Sequence, residues 1–96
     1  MIKFLKDCMI NDNIIEEIGR ENSNADIYNL CCNQDEVVNI ISFFRELGLT
    51  CINDLLIYRI NVFFQSLDDV KNKFSINNAS DIVKSINDDY TNIDEL

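Results

Sequence analysis

The side chains of this sequence with chemistry to offer are seventeen carboxylates and four cysteines, and no histidine accompanies them. Paired carboxylates can hold a cation or divide acid and base work when their oxygens converge on one pocket. Glu16 and Glu17 are adjacent, so on a helix they diverge by about 100° and face solvent. Asp68-Asp69 reads better as favourable charge at a helix N-terminus than as a cation site. The spacing of an EF-hand loop is absent. With no histidine, a His-based triad and a His metal site are both excluded. Cys8, Cys31, Cys32 and Cys51 sit inside apolar stretches, and Cys31-Cys32 lacks the spacing of a C-x-x-C zinc chelate. Free, buried thiols are the expectation. Glycine occurs only at Gly19 and Gly48, so neither a dinucleotide fingerprint nor a P-loop can be written. These residues argue against an enzyme, and no cofactor or metal is expected.

Charge is the property left to carry function. Eight basic residues against seventeen acidic ones give a net charge of −9. A field of this sign repels phosphates, so it disfavours nucleic acid and anionic membranes and favours a basic protein surface, or serves solubility alone. The candidate contacts are Glu16, Glu17, Asp35 and Glu46, together with Asp88, Asp89, Asp94 and Glu95 in an acidic C-terminal tail over 88–96. Two Phe pairs add apolar candidates. Core burial competes with exposure for both, and Phe43 and Phe63 are the members offered to a surface patch or dimer contact.

The elements that must position these groups follow from composition. A chain of 96 residues is one domain, 1–96, and an apolar fraction of 47% suffices for a core. Two glycines and no proline leave almost no turn punctuation for a sheet protein. The fold class is therefore all-α, a compact bundle of five to six short helices. No apolar run approaches the ~18 residues of a membrane span. The start, Met1 to Asp7, shows no secretory signal, so a cytoplasmic location is expected.

Residues Ile2 to Met9 read as a short amphipathic helix, followed by a second that is capped from Asn11-Asp12-Asn13 and stopped at Gly19. Glu21 to Asn24 reads as a loop and Asp26 to Cys32 as a helical turn. Gln34 to Leu47 is the clearest helix, with Val37, Ile40, Ile41, Phe44 and Leu47 at i, i+3, i+4, i+7 spacing. Asn33 and Glu36 form a capping-box-like start, and Gly48 a left-handed stop. Its wide apolar face admits a homodimer. Thr50 caps Cys51 to Tyr58, Ser66 caps a helix carrying Leu67, Val70 and Phe74 inward, and Asn77 or Ser80 caps the last helix. Tyr90 and Ile93 extend that helix or form a final turn.

One passage occurs twice. Ile2 to Asn11 aligns with Ile41 to Thr50, each reading apolar, polar, aromatic, apolar, basic, acidic, apolar, then a break, an apolar residue and a polar one. Such similarity suggests two stacked helical repeat units. Residues 43–74 resemble the repeat of the mitochondrial transcription termination factor family. Leu47-Gly48 stands at the end of its first helix, Val62-Phe63-Phe64 at its apolar step, and Ser66 to Lys73 in its third helix. Asn61 replaces the family's proline. The resemblance implies stacked helices that bind duplex nucleic acid along a concave surface, for which Lys71, Lys73 and Lys84 would have to cluster. The charge points elsewhere: a small acidic regulator or inhibitor of a protein partner, in its sharpest form a phage or mobile-element DNA mimic that fills the nucleic-acid groove of an enzyme.

Overall fold

The computed structural model describes residues 2–75 and 78–96. It is all-helical, with no strand among the described residues. Six α-helices and three 3-10 helices follow one another: η1 (Lys3–Cys8), α1 (Asp12–Glu21), α2 (Asn24–Cys32), α3 (Gln34–Leu47), α4 (Ile52–Tyr58), η2 (Ile60–Phe64), α5 (Leu67–Ser75), α6 (Ala79–Asp88) and η3 (Tyr90–Glu95). α3 is the central element. It packs against η1, η2, α2, α5 and α6, while α4 packs on α1. Val37, Ile40, Ile41 and Phe44 of α3 are wholly buried by the rest of the chain. The apolar face that admitted a homodimer is thus covered from within.

The first element is a 3-10 helix, tighter than the α-helix expected. It ends at Met9, whose backbone is left-handed (φ 65°). Met9 N–H donates to Lys6 O at 3.0 Å and Ile10 N–H to Leu5 O at 3.1 Å. The aligned passage closes α3 with the same pair of bonds: Gly48 N–H to Arg45 O at 3.1 Å and Leu49 N–H to Phe44 O at 3.0 Å. Gly48 carries the left-handed turn there (φ 92°). In both passages the residue after the turn, Ile10 or Leu49, is buried as an apolar plug.

Several expected boundaries move. Gly19 does not stop α1. The helix runs on to Glu21, and the stop is Asn22, whose Nδ2 donates to Ile18 O at 2.9 Å and Ile57 O at 3.1 Å. Ser23 at once caps α2 by accepting Asp26 N–H at 3.1 Å, so the expected loop is a single corner and the expected turn a nine-residue helix. The capping box at Asn33 does not form. Asn33 Nδ2 donates back to Asn29 O at 2.8 Å, and Glu36 Oε2 accepts Leu67 N–H at 3.2 Å. Glu36 therefore serves the start of α5, beside Ser66, whose Oγ accepts Asp69 N–H at 3.2 Å as expected. Thr50 caps nothing. Its N–H donates to Asn87 Oδ1 at 2.8 Å, and Asn87 Nδ2 donates to Gly48 O at 3.0 Å, clipping α6 to the α3–α4 turn. The cap of α6 is Asn78, which accepts Ser80 N–H at 3.1 Å. Ser80 itself lies inside the helix, and Asn77 lies outside the described residues.

The last residues fold back on the bundle. Asp89 caps η3, Asn92 Nδ2 donates to Ser85 O at 2.9 Å, and Ile93 is buried in the core.

Candidate interaction surface

The two Phe pairs resolve differently from the expectation. Three residues per turn put Ile60 and Phe63 of η2 on one side, so Phe63 points inward and is fully buried. Its ring meets Phe44 at 5.7 Å in an edge-on contact. Phe63 is therefore no surface contact, and Phe64 is the half-buried member of that pair. Phe43 is half-buried, packs edge-on against Phe74 at 6.0 Å, and has the Lys71 ammonium over its ring at 5.8 Å.

The cysteines also depart from a uniform core role. Cys8 is buried, and burial pushes its thiol pKa up, against the lowering effect of Arg45. Cys51 is half-buried, and its Sγ donates to Ile86 O at 3.6 Å. Cys32 is exposed at the end of α2. Its neighbour one turn back, Tyr28, hydrogen-bonds with it, and that bond raises the Tyr28 phenol pKa.

The candidate carboxylates do not form one cluster. Asp35 and Glu46 occupy opposite ends of α3, roughly 16 Å apart along its axis at 1.5 Å per residue. Glu16 is exposed on α1, Asp88 ends α6, and Glu95 is exposed at the end of η3. Two ion pairs occur among the described residues: Lys6 with Asp12 at 3.0 Å, and Arg59 with Asp94 at 2.9 Å. Asp94 is therefore committed within the chain, and Asp89 is committed to Thr91. The remaining candidates, Glu16, Glu17, Asp35, Glu46, Asp88 and Glu95, carry charge with no cation paired to it. No group of three or more cysteines or carboxylates is placed to hold a metal among the described residues.

The lysines expected to gather for nucleic acid face different ways. Lys71 lies against Phe43 of α3, whereas Lys73 donates to Gln65 beyond η2. Two residues apart on one helix, they diverge by about 200°. Lys73 stands beside a cleft of about 220 Å³ floored by Phe44, Val70, Phe74 and Ile93.

One grouping escaped the sequence reading. Asn22 ties the end of α1 to Ile57 of α4, which brings Glu17 and Glu21 beside Tyr58. Tyr58 remains 44% exposed. Tyr90 of η3 stacks on it, with ring centroids 5.7 Å apart and planes 24° from parallel. The Arg59 guanidinium lies 5.6 Å from the Tyr90 centroid, and its Nε reaches both Asp94 oxygens at 2.9 and 3.1 Å. The Glu17 carboxylate is the main cause that raises the Tyr58 phenol pKa, with Glu21 and Asp54 adding to it. A phenol that resists ionisation in this way marks negative potential at the surface. The only sequence hint was the Tyr58-Arg59 pair at a helix end; Tyr90 is too distant in the chain for spacing to reveal it.

No helix among the described residues is long and apolar enough to cross a membrane. Comparison with family models, with curated proteins and with solved structures gives no match to this chain.

Proposed function

We propose that this protein is an acidic helical interaction module that regulates or inhibits a protein partner by docking on its basic surface. The observation that supports this reading most is the imbalance of the surface: a net charge of −9 with only two internal ion pairs among the described residues. Unpaired surface carboxylates steer encounter with a basic partner and set its orientation more than they add affinity. The scaffold fits the task, as two helical units stacked counterpart on counterpart, η1 on α3 and α1 on α4, hold those carboxylates on short rigid elements. In the sharper form of the proposal the carboxylates stand in for phosphates in the groove of a nucleic-acid enzyme. The divergence of Lys71 and Lys73 weighs against the nucleic-acid-binding alternative implied by the termination-factor resemblance.

The test is affinity capture from the source cell, with identification by mass spectrometry and elution by salt. A basic protein released near about 1 M salt, where the Debye length falls to about 3 Å, is the expected result. A gel shift of duplex DNA by the pure protein at low salt would overturn it.

A further inference from the structure

The chain contains, on itself, an example of the contact its surface is built to make. Arg59 lies against Tyr90 and closes on Asp94, so one guanidinium satisfies an aromatic face and a carboxylate together. Beside it stands a second set of the same groups with no cation in it. Tyr58 shares the stack with Tyr90 yet keeps nearly half its surface open, and Glu17, Glu21 and Asp54 act on it without an ion-pair partner. Stacked tyrosines present negative π-faces, and a guanidinium binds such a face best when a carboxylate receives its N–H groups. An exposed aromatic pair also costs little side-chain entropy to bind, because each ring has only two torsions.

We propose that Tyr58, stacked on Tyr90 and flanked by Glu17, Glu21 and Asp54, is the seat for an arginine side chain of the partner's basic surface. This rests on the reading of the chain as an acidic interaction module and names the residue type that the module takes. Arginine fits better than lysine, since a planar guanidinium can stack on Tyr58 and still direct N–H groups sideways to Glu17 or Glu21, whereas an ammonium is a point charge.

The experiment uses the full chain and a synthetic unstructured peptide of alternating arginine and serine, with a lysine–serine peptide of equal length beside it. The expected result is that the arginine peptide binds more tightly. Its binding shifts the ring resonances of Tyr58 and Tyr90 and leaves those of Tyr28 in place. Tyr58→Leu weakens binding by about 2- to 30-fold, the range of a cation–π contact. Should Tyr58→Leu not fold, the double variant Glu17→Gln, Glu21→Gln serves the same purpose on exposed helical positions. The double variant Asp35→Asn, Glu46→Gln, on α3, is the control with little effect. Arginine-peptide binding that Tyr58→Leu and the ring resonances do not register would overturn the seat while leaving the acidic-module reading intact. Absence of any peptide binding at low salt would overturn both.

Discussion

Asp89 shows how one exposed side chain is set by its neighbours. Its Oδ1 accepts the Thr91 hydroxyl at 2.7 Å and the Thr91 N–H at 3.0 Å. Those two bonds, the hydroxyl's first, hold the carboxyl below its ordinary value, and the charge of Arg59 acts in the same direction. A carboxylate that is easier to ionise in the folded chain stabilises the fold fully above its unfolded pKa of about 3.9. That contribution is lost as pH falls through the lower folded value. NMR titration of the side-chain carboxyls should therefore find Asp89 with a lower midpoint than an unstructured aspartate. The stability gap between the wild type and Asp89→Ala should narrow as pH falls below about 4. A gap that stays constant through the acid range would show that the Thr91 bonds do not favour the ionised form. The same residue was counted among the partner contacts on charge alone. Its two bonds to Thr91 give it instead a role inside the chain, the start of η3, and through η3 the placing of Tyr90.

The two glycines make the argument at the scale of elements, because one lies within a helix and the other ends one. A Cβ at Gly19 would have no heavy atom within 4 Å, and Gly19 has an ordinary helical backbone within α1. Gly19→Ala should thus stabilise the fold by about 0.5–1 kcal/mol, the helix-interior difference between the two residues. Gly48 has equal room but sits at φ 92°, so Gly48→Ala should cost about 1–2 kcal/mol. Urea unfolding of both variants checks the pair, and effects of the same sign would sink this account. The contrast also explains what the sequence could reveal. α3 was legible to the residue, because its apolar spacing is regular and Gly48 closes it. Asn11 and Ser66 were legible as caps because each bonds an N–H three residues on. Glu36 and Asn87 were not legible, because the backbone groups they serve lie 31 and 37 residues away. α2 was underestimated because only Leu30 of its nine residues is fully buried, so it carries almost no periodic stripe. Of the proposed arginine seat, Glu17 was legible as charge. The Tyr58–Tyr90 stack was not, since it depends on η3 folding back 32 residues later.

At the scale of the molecule, the unbalanced charge becomes a property of the fold itself. Seventeen carboxylates share a body measuring 36 × 24 × 22 Å. At about 0.01 M salt the Debye length is ~30 Å, so each exposed carboxylate feels those across the whole structure. The described residues answer with two ion pairs, both solvent-accessible and each worth little. The unfolded chain spreads the same charges further apart, so self-repulsion acts against the compact state. Sodium chloride should therefore stabilise this protein. Between about 0.01 M and 1 M salt, where screening shortens to ~3 Å, the melting temperature should rise by several degrees, with about 4–8 °C for each kcal/mol relieved. Excluded-solute effects are separated by Glu16→Gln combined with Glu46→Gln, which removes two charges without touching the core. That variant should start from a higher melting temperature at low salt and gain less from added salt. A melting temperature that is flat or falling in salt would mean that the carboxylates are spaced widely enough not to oppose folding. The same repulsion bears on binding. A basic partner relieves it locally, so complex formation should be strongest at low salt, where the isolated protein is least stable.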